Sequence, residues 1–218
     1  TFGLGGTYSS FFSHHISTME GGVIATDDEE LYQVMKSLRA HGWTRDLPEK
    51  NFVHNKTGNP WDDLYRFVLP GYNVRPLEME AAIGSVQLRK LDSFISARKQ
   101  NALIFQSAMK DSEFFRIQIE NGESSWFGFS LILQGKLKGK RSELITSLNK
   151  AEIDSRPIVT GNFARNPVIE HLPHTKLMPL PAADDIHENG LFVGNHHYDL
   201  TNEIDLLIET LTAFERRF

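Results

Sequence analysis

The chain has no cysteine among its 218 residues. That absence excludes disulfides, zinc–thiolate centres and thiolate-held iron–sulfur clusters within it. Long apolar runs are also missing, and those present are far too short to span a bilayer. The first residues show no basic-then-apolar leader pattern. Positive charge is scarce: 23 Lys and Arg stand against 28 Asp and Glu, a formal net charge of −5. No basic run is interleaved with aromatics, so nucleic acid is not expected as the main partner. The remainder is ordinary for a globular protein, with 40% hydrophobic and 23% charged residues. The length suits one large domain or two small ones. The first residue is Thr1 rather than Met, from which we expect a truncated chain.

What is present reads as a series of short elements. Tyr8–Phe12 and Val23–Ala25 are expected strands, separated by the Gly21-Gly22 turn. Thr26-Asp27-Asp28-Glu29 has the form of a capping box, followed by Leu31, Val34, Met35 and Leu38 at helical spacing. Gly42 is the expected C-cap of that helix. A long polar loop runs to Pro60, and Pro76 suits the first turn of another helix. Met79, Ala82, Ile83 and Val86 form a helical stripe. Asp92-Ser93 is placed to cap a second helix with Phe94, Ile95, Ala102 and Phe105, so this region is one kinked helix or two in tandem. The run Trp126–Leu133 reads as a buried strand, and Ser142–Ala151 as a short helix with Leu144, Ile145 and Leu148 inward. Arg156–Val159 and Leu191–Val193 are further expected strands. Thr201 is the expected cap of a last helix that turns Ile204, Leu207, Ile208, Leu211 and Phe214 inward. From about residue 107 onward, strands alternate with helices, the pattern of a small α/β domain.

Several residue types here can carry chemistry. His14 and His15 are adjacent, and neighbours in a strand face opposite ways, so one metal is not readily held by both. One imidazole could serve as a proton-transfer base, or both could be ordinary strand-edge histidines. His41 and Arg45 share a loop after a helix, where arginine is a natural clamp for phosphate or carboxylate, or simply a solvated surface residue. Asn73 and Arg75 lie just ahead of a helix, a place that binds anions or merely caps. His171 and His174 have a metal-like spacing, but Pro173 breaks the helix that spacing needs. His196-His197 reads as a strand end at the surface.

Taken in order, four motifs resemble one family. They are Ser9-x(4)-His14-x(5)-Glu20-Gly21-Gly22, His41-Gly42 with Arg45, Gly71-Tyr72-Asn73-Val74-Arg75, and the stretch from Glu78 to Leu91 with Ala81-Ala82-Ile83-Gly84 and Gln87-Leu88. The sequence resembles the sugar-nucleotide aminotransferases, pyridoxal-phosphate (PLP) enzymes of the aspartate aminotransferase type I fold. The likeness continues through Ser155-Arg156-Pro157 to the last helix. It implies an α/β fold, the C-terminal part of a PLP-dependent transferase. Residues 1–76 would belong to the PLP-binding large domain, 77–106 to a bridging helix or helices, and 107–218 to a small C-terminal α/β domain.

In the family's aminotransferases, the position of His14 holds the lysine that bonds covalently to PLP. A histidine has no primary amine, and the resemblance is therefore to the 3-dehydratase branch. That branch removes the C3 hydroxyl of nucleotide-linked 4-keto-6-deoxy hexoses. The runs His14–Gly22 and Arg156–Phe163 look most like its GDP-linked, colitose-pathway members. A CDP-linked branch shares the histidine but holds an iron–sulfur cluster on cysteines that this chain lacks.

By resemblance, His14 is the catalytic base and then acid, and Ser9 bonds the cofactor phosphate. Asn73 reaches the cofactor phosphate of a partner subunit in a homodimer with shared active sites. His41, Arg45, Arg75 and Arg156 contact substrate. Ser10 stands where the family often has Phe, and no role is assigned to it. The implied cofactor is pyridoxal 5′-phosphate used as pyridoxamine 5′-phosphate, with glutamate as amino donor and a nucleotide sugar as substrate. No metal, nucleic acid or membrane is implied, and the expected location is cytoplasmic. The family's Gly-Ser phosphate loop, ring-stacking aromatic and ring-nitrogen Asp are expected before residue 1. The chain alone is therefore expected to be inactive and to bind PLP weakly, and tight stoichiometric PLP binding would contradict this. Two alternatives stay open: an aminotransferase whose lysine is replaced, the next lysine being Lys36, and a non-catalytic remnant.

Overall fold

The structure, a computed structural model, describes residues 2–175 and 179–218. The chain divides into two units, Thr1–Leu91 and Asp92–Phe218. The division falls inside the segment expected to bridge two domains.

In the first unit, β1 (Gly6–Ser9) pairs antiparallel with β2 (Gly22–Ala25), Ser9 opposite Gly22. The first strand ends earlier than expected. Ser10 to Phe12 leave the ladder because the Ser10 amide turns to the Gly21 carbonyl at 3.1 Å and starts a loop. The helix α1 (Glu29–Leu38) is capped by Asp28, not Thr26: the Asp28 carboxylate accepts the Leu31 amide at 2.8 Å. Thr26 donates its hydroxyl to Leu4 O and accepts the Asp28 amide. At the other end Arg39 is the C-cap, and Gly42 secures the last turn from further on, its amide reaching Ser37 O at 2.8 Å. A short helix α2 (Pro60–Asp63) interrupts the long loop. Then α3 (Glu78–Leu88) begins two residues after Pro76, with Glu80 accepting the Leu77 amide at 3.0 Å.

This unit has little apolar interior. Among its described residues only Ala40 and Leu47 are buried hydrophobics. Tyr8, Val23, Ile24, Met79 and Val86 are all half or more exposed, or nearly so. Thus the expected stripe on α3 exists as a pattern but is not covered. The unit is held chiefly by backbone and side-chain hydrogen bonds.

The second unit is the reverse. Helix α4 (Leu91–Met109) follows α3 directly, so the region is two helices in tandem. Four strands, β3 (Phe115–Ile117), β4 (Gly128–Leu133), β5 (Ser155–Arg156) and β6 (Gly190–Gly194), form a sheet in the order β3-β4-β6-β5. Every pairing is antiparallel. The helices α5 (Arg141–Lys150), α6 (Pro181–Asn189) and α7 (Thr201–Glu215) accompany it. The brief strand β3 and helix α6 carry too short a pattern to have been read from the sequence. The expected strand Arg156–Val159 stops at Arg156, because Val159 adopts a left-handed backbone with φ 47°. Thr201 is the first helical residue rather than the cap; the Asp199 carboxylate accepts both its amide and its hydroxyl.

The expected inward faces are buried. Phe105, Phe129, Leu131, Leu144, Leu148, Ile204, Leu207, Leu211 and Phe214 share one core, with Phe105 stacked on Phe129 at 4.4 Å. A polar knot joins α4 to the end of β6. Asn195 donates to Arg98 O and Trp126 O, while Asn101 donates to Asn195 Oδ1 and accepts the Leu200 amide. The buried Arg98 guanidinium is met by carbonyls, the nearest being Asn195 O at 2.9 Å. His197 stacks on Phe94 at 4.0 Å, a structural role consistent with its place after β6. Burial, with His197 and Arg98 nearby, lowers the pKa of His196.

Candidate functional site

Two loops of the first unit hold most of the residues singled out above. The first connects β1 to β2 and carries His14. It is cinched at its neck: the Ser10 and Thr18 hydroxyls meet at 2.7 Å, the Thr18 amide donates to Ser10 O at 2.8 Å, and Thr18 Oγ1 donates to Glu20 O at 2.6 Å. Gly21 closes the neck, where a Cβ would stand 2.9 Å from Ser10 Oγ. Ser10, to which no role was assigned, is buried and fastens the loop. A Phe there could not make this bond, and that departure was the available signal.

Within the loop, the His14 amide bonds Phe11 O at 2.9 Å in a turn, and its ring meets Phe11 edge-on at 6.2 Å. His14 and His15 therefore lie on turns and bends, not in a strand, so strand alternation does not govern where they point. His14 is exposed and His15 half-buried. Ser9, at the end of β1, accepts the Phe11 amide at 3.3 Å, which leaves its hydroxyl hydrogen to donate elsewhere.

The second assembly is a clasp between residues 39–45 and 65–75. The His41 amide donates to Tyr72 O, Tyr72 to Leu38 O, Val74 to Arg39 O, Val68 to Gly42 O and Thr44 to Arg66 O, at 2.9–3.2 Å. Isolated bridges pair Ala40 with Asn73 and Trp43 with Phe67. Gly42 makes the approach possible. Its φ is +80°, and a Cβ there would lie 1.8 Å from Leu69 O. His41 beside it is also left-handed, at φ 62°.

The clasp gathers three predicted residues around Trp43. His41 lies 5.3 Å from its ring, the Arg45 guanidinium 4.1 Å and that of Arg75 5.8 Å. Tyr65 and Phe67 flank the same indole, at 5.8 and 5.4 Å. Asn73 accepts from Arg75 Nε at 3.0 Å and so orients it. Sequence reasoning missed Trp43 itself, although it sits between His41 and Arg45. Its buried Nε1 finds no hydrogen-bond partner among the described residues. That costs about 1–3 kcal/mol, which the clasp must outweigh.

Below the clasp, Asp63 ties the 57–66 segment. Burial would raise its carboxyl, but the Thr57 amide at 3.0 and 3.1 Å, the Thr57 side chain and Arg66 outweigh that and lower its pKa.

Ser9 and Arg75 also line a single cavity of about 650 Å³ with Lys36, Arg39, Glu20 and Glu80. Hydroxyl and guanidinium donors beside two further cations are the donor set of a phosphate or carboxylate site. In this respect the residues present fit a phosphorylated cofactor or substrate. His14, His41, Arg45 and Asn73 do not line that cavity. Arg156 belongs to the second unit, at the end of β5, where it is exposed and pairs with Asp154 at 3.2 Å. Among the described residues no helix is long and apolar enough to cross a membrane.

Comparison with known proteins extends this geometry. A family model described as the DegT/DnrJ/EryC1/StrS aminotransferase family matches residues 1–212. The chain is similar to the GDP-4-keto-6-deoxy-D-mannose 3-dehydratase of Escherichia coli O55:H7, 53% identical over 97% of this chain and 55% of that protein. It is likewise similar to the protein of the same name from Yersinia pseudotuberculosis, at 52% identity over 97% of this chain and 54% of that one. A solved structure of the E. coli enzyme with bound hydrated PLP superposes with a TM-score of 0.90, 52% identity, and coverage of 97% and 55%. The chain thus spans about half the length of the curated relatives it matches.

Proposed function

The chain belongs to the DegT/DnrJ/EryC1/StrS aminotransferase family, and from that premise we propose that its protein is a dehydratase rather than an aminotransferase. The proposed reaction removes the C3 hydroxyl of GDP-4-keto-6-deoxymannose, using pyridoxal/pyridoxamine 5′-phosphate as cofactor and glutamate as amino donor. One observation carries this reading: the loop between β1 and β2 presents His14, and no lysine or arginine occurs before Lys36. Nothing in that loop can form the covalent bond to PLP on which a transaminase relies, whereas an imidazole can move protons.

When bound, the amine form of the cofactor supplies a nitrogen that condenses with the sugar ketone and a ring that withdraws electrons. His14 would take a proton, as a base, from the cofactor carbon that bears the amine, whose C–H bond leaves its electrons to the ring, and would become imidazolium. It then gives a proton to the departing C3 oxygen, so one side chain serves both transfers. Ser9 keeps its Oγ as acceptor for Phe11 and donates its hydrogen to a phosphate oxygen. Arg75, oriented by Asn73, adds charge at the same cavity. His41 and Arg45 around Trp43 are assigned to the nucleotide sugar, whose diphosphate suits an arginine; Arg156, in the second unit, is assigned separately as a substrate contact. The balance closes when glutamate is oxidised to its keto acid, the sugar loses its C3 oxygen, and ammonia leaves. We further propose a homodimer in which Asn73 serves a partner's cofactor, and a cytoplasmic location.

The test supplies the complete protein with PLP, glutamate and GDP-4-keto-6-deoxymannose, and assays ammonia and sugar products together. We expect ammonia and a 3-deoxy-4-keto sugar, and no turnover by His14→Asn. An amino sugar as product would overturn the assignment of His14.

A further inference from the structure

The segment that follows β5 is fastened to α6 by contacts that the proposed chemistry leaves unused. Beyond Arg156 the backbone turns out of the sheet. Val159 is 83% exposed and held at φ 47°. A β-branched residue in that region is strained by about 1–3 kcal/mol and persists only where its surroundings over-determine it. The surroundings are specific. Gly161, at φ +62°, lies so close to α6 that a Cβ would stand 2.5 Å from His187 Nδ1. The next amide, of Asn162, donates to that same Nδ1 at 3.3 Å. The Asn162 side chain donates to Asp184 Oδ1 at 2.9 Å, and Arg165 reaches Asp184 at 3.3 Å and Glu188 at 3.0 Å. From α5, Arg141 donates to the carbonyls of His187 and Gly190, which pins the end of α6.

We propose that His187 is a positioning residue whose Nδ1, accepting the Asn162 amide, latches the Arg156–Asn162 segment in the shape that presents Arg156 to a nucleotide sugar. This rests on the reading of Arg156 as a substrate contact. The latch has a chemical condition. An Nδ1 that accepts an N–H carries no proton of its own, so the latch requires an acceptor nitrogen, or an oxygen in its place, at that position. The charged groups on the elements packed here are Asp184 and Glu188 on α6, Arg165 just beyond the latched segment, and Arg141 from α5, which bonds His187 O. Both carboxylates are engaged by Arg165. Asp185, on the same helix, is paired with Lys138 and Arg116.

The experiment measures backbone amide protection of Asn162 by NMR in this chain, in wild type, His187→Asn and His187→Ala. The Asn variant places a side-chain oxygen near the position of Nδ1, an acceptor that takes no proton. Wild type should protect the Asn162 amide about five- to tenfold better than His187→Ala does, the worth of one hydrogen bond. His187→Asn should keep the wild-type protection, and His187→Ala should lose it. Unchanged amides of β4 and β6 separate latch opening from unfolding. Equal protection of Asn162 in wild type and His187→Ala overturns the latch, as does protection in His187→Asn no better than in His187→Ala. A GDP titration followed at the Arg156 side chain gives the second readout. A response weakened in His187→Ala and recovered in His187→Asn supports positioning, and identical responses in all three overturn it. No response in any variant, with Asn162 behaving as expected, sinks the reading of Arg156 and leaves the latch standing.

Discussion

Replacing Gly42 by Ala should open the clasp that gathers His41, Arg45 and Arg75 around Trp43. Two effects combine there. A left-handed backbone costs an alanine about 1–2 kcal/mol relative to glycine. The added Cβ would also stand 1.8 Å from Leu69 O, against a floor of 3.0 Å for real contacts, so that carbonyl must retreat by about 1.2 Å, the difference of the two. Such a retreat breaks the neighbouring Val68–Gly42 bond and misaligns His41–Tyr72, each worth about 1 kcal/mol. The sum is about 3–4 kcal/mol of local stability, or two to three decades of opening at about 1.4 kcal/mol per decade. Amide exchange at Val68, Tyr72 and Val74 should therefore speed up by about a hundredfold or more, and the environment of the Trp43 indole should change in near-ultraviolet dichroism. The control is Gly58→Ala. Its φ is +81°, nearly the same, but a Cβ there meets nothing within 4 Å. It should show the conformational part alone. If both variants exchange alike at the clasp amides, the steric part of the reasoning is wrong.

Asn195→Ala takes the side-chain donor from the Arg98 and Trp126 carbonyls and the acceptor from the His196 amide, while Asn101 keeps His196 O and Tyr198 O; at about 1–3 kcal/mol per orphaned group, the denaturant midpoint should fall clearly, and an unchanged midpoint would contradict the knot's role. The lowered Asp63 carboxyl implies stability that is fully present above its ordinary pKa of 3.8 and is lost as pH falls through its lower folded value. Protection of the Thr57 amide, titrated downward from neutrality, should show this, and Asp63→Asn should flatten the response.

How far the sequence foretold these features depends on which physics set each of them. The inward faces of α5 and α7 were legible because Leu144, Leu148, Ile204, Leu207 and Leu211 repeat at helical spacing and are buried. The ends of elements were less so. Asp28 displaces Thr26 as cap because Thr26 is already bonded to Leu4 O, a partner 22 residues away. Strand β1 stops at Ser9 because Ser10 bonds Gly21 and Thr18 across the loop, which no local propensity encodes. At the candidate site, His41 and Arg45 were read together on one loop and Arg75 on another, with their roles implied by resemblance, and the convergence of all three on Trp43 became visible only with the clasp. Tyr65 and Phe67, its other neighbours, carried no motif. The His187–Asn162 contact joins residues 25 apart in sequence and left no local pattern at all.

The contrast between the two units predicts where each tolerates change. In the second unit, positions are set by close packing: Phe105 is fully buried against Phe129, and truncation there removes contacts that nothing else replaces. In the first unit, Val23, Ile24, Met79 and Val86 are half or more exposed, so their truncation forfeits little packing within it. Its geometry resides instead in hydrogen bonds and close backbone approaches: Ser10 to Thr18 at the neck of the His14 loop, and Gly42 against Leu69 in the clasp. A base of the kind proposed for His14 must be held in orientation to be effective, and the His14 loop is held by hydroxyls and a turn rather than by a surrounding core. Conservative exchanges should therefore carry opposite weights. Ser10→Ala, a loss of one oxygen, should disturb the His14 loop more than Val23→Ala, a loss of two methyl groups on an exposed strand. The chemical shifts of His14 in the two variants decide the matter, and a larger change in Val23→Ala would show that packing, not the hydroxyl pair, sets the loop.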